Sequence, residues 1–394
     1  MKLLTFSTLY PNSAQLRHGI FVEQRLRHLL TTQQVEVKVV APVPWFPFKH
    51  SMFGEYSKYP GIPKEEIRHG ISVLHPRYPL IPKMGMTLAP LLMAIAMIPV
   101  IRKILRDGYD FDLIDAHYFY PDGVAATILG KVFRKPVVIT ARGTDISLVP
   151  KYRLPRRMIL WAANNASGLI TVCKALKDEM VTLGVPDSKV EVLRNGVDLR
   201  IFQPLENREK IRTEMGYQNR KLLLSVGHLI PRKGHDLVIK ALRELPDVQL
   251  LLAGDGPEQQ NLTELAEREG VRDRITFLGS VSHDQLAKYY SIADALVLAS
   301  SREGWANVLL ESMACGTPVV ATSVWGTPEV VAAPEAGVLV QERSPDALAK
   351  GFKELIENYP DRAVTRRYAE RFSWDETSAG QFNLFSKIQA GHRL

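Results

Sequence analysis

A chain of 394 residues, 46% apolar and 23% charged, has the make-up of a soluble globular protein and length enough for two hydrophobic cores. Its two cysteines, Cys173 and Cys315, lie far apart without metal-ligand spacing; this excludes a disulfide framework and points to a reducing compartment. The net charge of +8 is unevenly spread: residues 1–195 hold 26 Lys+Arg against 15 Asp+Glu, and the remainder 24 against 27.

In chain order, residues 2–8 read as a strand, with no signal-peptide pattern before the turn at Pro11-Asn12. A helix over 20–30 and a strand over 35–41 follow, then a Pro- and aromatic-rich loop over 42–63. The longest uncharged apolar stretch, 84–101, is interrupted by Pro90 and Pro99. It falls short of the ~20 residues that a bilayer span needs, so no transmembrane segment is expected. It reads as a surface helix packed on the first sheet. Its flanks, Lys83 and Arg102 to Arg106, also suit a segment lying on an anionic membrane.

The alternation continues with strands at 113–116, 136–140, 168–172 and 190–193, separated by helices at 121–132, 156–166 and 174–183. Asn195-Gly196 opens a linker, and the pattern restarts with strands at 221–226, 249–253, 274–278, 295–299, 319–321 and 337–340. Short apolar strands alternating with helices mean parallel sheets covered on both faces. Two such α/β halves make two domains.

The strand at 293–300 leads into Arg302-Glu303-Gly304-Trp305-Ala306-Asn307 and an apolar helix that carries Glu311. Glu303 is placed before the first turn, at the carboxyl edge of a sheet. Glu311 is expected a little over two turns into the helix, on nearly the same face. The amides from Gly304 to Asn307 then stand at a helix N-terminus, which favours an anion. Two carboxylates that accept sugar hydroxyls, around a phosphate-binding helix end, suit a sugar nucleotide.

This stretch resembles the Glu-x7-Glu segment of the retaining glycosyltransferases of family 4, which use nucleotide-sugar donors. The resemblance covers most of the chain and is most specific over 226–330. It implies the GT-B fold, two doubly wound, Rossmann-like parallel-sheet domains facing across a cleft. Residues 1–195 would bind the acceptor and 196–373 the donor, with the last helix, about 374–394, packing back on the first domain. It also implies catalytic or charge-stabilising roles for Glu303, Lys233 and Arg232, and contacts to the donor from Gly304, Trp305, Ala306, Asn307 and Glu311. Glu311 would take the ribose hydroxyls and Glu303 those of the transferred sugar.

Gly227 and Gly234 permit tight turns around Arg232 and Lys233 at a strand's carboxyl end. Family members commonly carry Gly-Arg where this chain has Gly227-His228, which leaves either Arg232 or His228 as the second cation. Gly254, in a glycine-rich turn, would lie beside the nucleotide, and 278–281 near its base. In the first half, Gly19 resembles the glycine near the donor phosphates and His117 the histidine that faces the donor sugar. Arg17 belongs to the loop before Gly19, and Arg142 and Asp145 would hold acceptor or sugar, or pair locally to order their loop.

Asp110-Phe111-Asp112 precedes a strand and is read as structural. No cofactor and no metal are expected, only a nucleotide-sugar co-substrate. The basic first half suits a phospholipid surface, a phosphorylated lipid carrier or, last, a nucleic acid, for which no zinc-finger, RNP or helix-turn-helix pattern is seen. The expected protein is cytoplasmic, peripheral at the inner face of a membrane. It transfers a sugar to a lipid-linked or polysaccharide acceptor in cell-surface glycan synthesis. A nucleotide-sugar epimerase of similar fold and a non-catalytic sugar-nucleotide-binding protein are the rivals.

Overall fold

The computed structural model of the chain describes residues 1–32, 34–80, 85–218 and 220–392. The chain forms two compact units, Met1–Arg194 with Asp375–Leu394, and Asn195–Trp374.

The first unit contains β1 (Lys2–Phe6), β2 (Glu36–Val40), β3 (Val43–Pro44), β4 (Glu65–Arg68), β5 (Ile71–Leu74), β6 (Arg77–Tyr78), β7 (Leu113–His117), β8 (Val137–Ala141), β9 (Gly168–Thr171) and β10 (Val190–Val192). Its main sheet has the order β10-β9-β8-β7-β1-β2-β5-β4. The β7, β8 and β9 strands are buried along their whole length, which is why they read as largely apolar rather than alternating, with Asp115 and His117 the charged or titratable exceptions in β7. From Asp375 on, the helix Trp374–His392 belongs to this unit: Leu384 and Phe385 pack with Leu3, Leu113, Val138 and Ile170.

The second unit contains β11 (Lys221–Val226), β12 (Val248–Ala253), β13 (Ile275–Gly279), β14 (Ala295–Leu298), β15 (Val319–Thr322) and β16 (Gly337–Val340). All are parallel, in the order β13-β12-β11-β14-β15-β16. This is a doubly wound sheet whose strand order reverses between β11 and β14. In the first unit the reversal falls between β1 and β7. Each reversal opens a crevice at the carboxyl ends of two strands, where ligands bind in such sheets.

Three expectations need correction. The first sheet is not wholly parallel, because β4 pairs antiparallel with β5. Their hairpin turns on His69 and Gly70, both at positive φ (50° and 81°), and the His-Gly pair between half-buried strands was the missed signal. The apolar stretch forms a 22-residue helix, Gly85–Arg106, that runs through Pro90 and Pro99. Among the described residues it is the one helix long and apolar enough to cross a membrane. It packs on the helices Val124–Phe133 and Arg153–Asn165 and on β6. Lys83 and Met84 lie outside the described residues. Finally, the helix after β14 starts only at Asn307, so Glu311 sits about one turn into it, not two.

Candidate active site

At the reversal of the second sheet, the loop after β11 meets the loop after β14. Lys233 donates to Glu303 Oε1 at 2.6 Å, and Ser300 Oγ donates to the same oxygen at 2.6 Å. Arg232 donates to the carbonyl of Arg302 at 2.8 Å and lies 3.6 Å from Glu303 Oε1. His228 is turned the other way, 3.5 Å from Asp255, with both side chains exposed. Arg232 is therefore the second cation beside Glu303. Burial alone would raise the Glu303 carboxyl, but Lys233 and Arg232 outweigh it and hold the group below its usual range. A carboxylate so held stays ionised at neutral pH.

The glycines here are geometric requirements. Gly254 has φ +151°, and a Cβ on it would stand 1.9 Å from the carbonyl oxygen of Gly227. The two strand ends can touch only while that atom is missing. Gly254→Ala is expected to destabilise the second unit by more than about 1 kcal/mol, read as a lower urea midpoint, while an exposed control such as Gly270 replaced by Asn stays near wild type.

β14 is anchored at its start by Asp294, which accepts from Arg208, Arg212 and the Leu222 amide. Beyond it, the helix from Asn307 begins without a side-chain cap, so its first amides stand ready for an anion. Glu311 is buried and accepts from Tyr290 Oη at 2.9 Å. Burial raises its carboxyl, opposed by His283 and by that hydrogen bond. Glu303 and Glu311 thus have opposite electrostatics. Gly304 and Ala306 stand just before the helix. The Trp305 indole is buried, donates to the Asn195 carbonyl at 3.0 Å and packs on Phe372. Asn307 accepts from the Asn195 side chain at 3.3 Å. Both tie the start of this unit to its site loop.

The reversal of the first sheet gathers the other candidates. Asp122 accepts from the Thr8 amide at 2.7 Å and from the Thr8 hydroxyl, joining the loops after β1 and β7. Burial pushes its carboxyl up to about 7 against those bonds. Gly19 begins the helix Ile20–Thr32 at φ +67°, where a Cβ would meet the Leu9 backbone at 2.3 Å. Arg17 is exposed on the same loop.

His117, at the end of β7, is buried and has both ring nitrogens engaged within the protein. Nε2 lies 3.2 Å from Asp115 Oδ2, and Nδ1 lies 2.7 Å from an Arg142 guanidinium nitrogen. The arginine can only donate, so Nδ1 accepts and Nε2 carries the proton toward Asp115. Burial holds the imidazole below its usual pKa; Asp115 opposes this and Arg142 adds to it. The ring is neutral at pH 7. It does not present a ring nitrogen outward, as a sugar-facing histidine would. Asp145 is also turned inward, accepting from the amides of Phe119 at 2.7 Å, Gly143 at 2.7 Å and Arg142 at 3.1 Å. It orders its loop through these backbone amides.

Behind His117 runs a chain that sequence reasoning missed. Gln381, on the last helix, donates to Asp115 Oδ2 at 3.1 Å and accepts from Arg25 Nε at 2.8 Å. Arg25 is itself fully buried, and burial lowers its pKa to about 10. Among the described residues no group of three His, Cys, Asp or Glu could hold a metal ion. Asp110 pairs with Lys135, and Asp112 accepts from the Lys2 amide at the amino end of β7, away from the site edge.

Two doubly wound sheets, each with polar loops gathered where its strand order reverses, are the two domains of the GT-B architecture. The chain matches "Glycosyltransferase Family 4" over residues 22–201 and "Glycosyl transferases group 1" over residues 207–372. It is 30% identical over 398 residues to the glycosyltransferase TuaC of Bacillus subtilis strain 168, whose name places it in teichuronic acid biosynthesis; the match covers 100% of this chain and 97% of that one. It is 33% identical over 305 residues to a D-inositol 3-phosphate glycosyltransferase of Mycolicibacterium smegmatis, covering 73% and 69%. Among solved structures, HepE of Anabaena in complex with UDP superposes with a TM-score of 0.74 at 21% identity, covering 98% of this chain and 100% of that one. Sucrose-phosphate synthase of Thermosynechococcus elongatus gives 0.77 at 20%, covering 99% of each. The chain belongs to the family 4 type of glycosyltransferases.

Proposed function

We propose that this chain is a retaining, metal-independent transferase. It moves a sugar from a nucleotide-diphosphate donor to a lipid-linked or polysaccharide acceptor in surface-glycan assembly, at the cytoplasmic side. The observation that carries this reading is the Lys233–Glu303 pair at the reversal of the second sheet, beside the uncapped helix at Asn307. Lysine has three N–H donors; with one on Glu303, another is available to a diphosphate oxygen. Arg232 and the helix amides add positive potential where the leaving diphosphate gathers charge.

In the reaction, the bond from the anomeric carbon to the diphosphate oxygen breaks as the acceptor oxygen bonds to that carbon on the same face. The acceptor's proton passes to the departing phosphate. Glu303 and Glu311 receive sugar and ribose hydroxyls. His117, neutral and held on both nitrogens, orients Arg142 and the β7 loop and is no general base. The name of TuaC favours a polymer-building role, and the UDP held by HepE makes UDP the first nucleotide to test.

The test is a thermal-shift series with UDP, GDP, ADP and their sugar conjugates. A ligand at a hundred times its Kd stabilises by about 2.7 kcal/mol, a shift of several degrees. One nucleotide family is expected to give that shift and Lys233→Ala to abolish it. A folded protein unmoved by every nucleotide would sink the reading.

A further inference from the structure

The turn that carries Arg232 and Lys233 is short, Pro231–Lys233, and has to hold two long cations beside Glu303. Its own bonds are few. Lys233 N donates to the Ile230 carbonyl at 3.0 Å, and Gly234 N to the Pro231 carbonyl at 3.3 Å. Gly234 leaves the turn at φ +71°, where a Cβ would stand 2.2 Å from the Ala299 carbonyl oxygen. The turn therefore rests against the end of β14. Ser301 N donates to the Arg232 carbonyl at 2.9 Å, and the Arg232 guanidinium donates to the Arg302 carbonyl at 2.8 Å.

A third loop reaches the same junction. Arg343 follows β16, which stands two places away from β14 in the sheet. Its Nε donates to the Ala299 carbonyl at 2.9 Å and its Nη2 to the Pro231 carbonyl at 3.3 Å. One guanidinium thus bridges the loops after β11 and β14, on the two carbonyls that Gly234 also touches. The backbone of Arg343 is fixed on either side. Ser323 N donates to the Val340 carbonyl at 2.9 Å, and Ser344 caps the helix Pro345–Glu357 by accepting from the Ala347 amide at 3.2 Å.

A surface arginine ordinarily contributes little through its charge. Arg343 is set apart by its geometry and by what it holds. A planar guanidinium offers its donors in a fixed fork, so bonding both carbonyls fixes their separation, which a single ammonium cannot do. One carbonyl belongs to the turn that presents Lys233, and the other to the strand end that leads to Glu303. A misplacement of about 1 Å in a group that stabilises charge can cost about 10²-fold in rate.

We propose that Arg343 is a positioning residue for the donor's diphosphate: it clamps the Pro231–Lys233 turn to the end of β14 and so sets Lys233 and Arg232 where the phosphates are held. It acts through the turn and not on the donor. The inference rests on the nucleotide-diphosphate reading of this loop.

The experiment measures the Kd of UDP, GDP and ADP, and of the matching monophosphates, for wild type, Arg343→Met and Arg343→Lys. Wild type is expected to bind one diphosphate at least about tenfold more tightly than its monophosphate, through the charged bonds that Lys233 and Arg232 add. Arg343→Met is expected to lose about tenfold on the diphosphate and less than about twofold on the monophosphate. Its melting midpoint should stay near wild type, because the residue is exposed. Arg343→Lys keeps the charge without the fork and is expected to follow Arg343→Met. An arginine that only supported the fold would lower both affinities together or neither. An unchanged preference for diphosphate in Arg343→Met therefore overturns the clamp. Arg343→Lys with the wild-type preference overturns it as well, since charge alone would then be the cause. A folded wild type that binds none of the six nucleotides removes the transferase reading of the loop first, and the clamp with it.

Discussion

Lys233→Met is expected to lower both stability and sugar transfer, and adding Glu303→Gln is expected to restore the first without the second. Lys233 and Glu303 form a largely buried pair at 2.6 Å. Removing the cation leaves an ionised carboxylate in a buried site with only Ser300 and Arg232 beside it, which costs about 3 kcal/mol or more. Replacing the carboxylate by its isosteric amide removes the stranded charge, so the double variant regains most of that loss. Turnover does not return, because the diphosphate then lacks its lysine and the sugar its carboxylate. Removing one such charge-stabilising group costs about 10² to 10³ in kcat.

The pH dependence adds a separate signature. The folded value for Glu303 lies below its ordinary 4.5, so the unfolded chain takes up this proton first as the solution is acidified. The pair's contribution is complete above the ordinary carboxylate range and is lost only as pH falls through the depressed folded value. Urea midpoints at pH 7 and pH 4 should therefore converge between wild type and Glu303→Gln as the acid is strengthened. A Lys233→Met protein with wild-type turnover would remove Lys233 from the reaction.

The layers of this fold were legible because buried parallel strands write themselves as apolar runs. β11 and β16 fall where the pattern of 221–226 and 337–340 places them. That Glu303, Lys233 and Arg232 gather was legible because strand-end loops converge at the carboxyl edge of such sheets. The direction a side chain takes was not legible. Trp305 and Asn307 sit inside the motif, yet they turn to Asn195, more than a hundred residues earlier. His228 and Arg232 were equal candidates until the short turn at Pro231–Lys233 set one toward Glu303 and left the other with Asp255. Arg25, Asp115 and Gln381 were unreadable for a different reason. Each is a single polar residue in an amphipathic or apolar segment, and the three meet only when the last helix returns to the first sheet.

That last chain carries the second large effect. Asp115 is the one buried carboxylate shared by His117 and Gln381, and its charge opposes the buried guanidiniums of Arg25 and Arg142. Burial lowers Arg142 to about 9, with Arg25 pushing it the same way and Asp115 pushing back. Asp115→Asn keeps the shape but leaves two buried cations without that counter-charge. It is expected to destabilise the first unit by about 3 kcal/mol or more, whereas Gln381→Leu, which removes a neutral link, is expected to cost nearer 1 to 3 kcal/mol.

The imidazole supplies the control. Its folded pKa is lowered by burial despite Asp115, so unfolded chains bind the proton first as pH falls through the ordinary value of 6.5. Stability from keeping this ring neutral is complete above that value and lost below it. His117→Gln is therefore expected to flatten the fall in stability between pH 7 and pH 5 while lowering kcat, through a misplaced Arg142, more than it changes the donor's KM. Its residual slope belongs in part to His235, in the second unit, which burial lowers to about 4. A His117→Gln protein with an undiminished slope would mean that His117 carries a proton in the folded state. The hydrogen bonds to Asp115 and from Arg142 could not then both stand as drawn, and a neutral orienting role would fall with them.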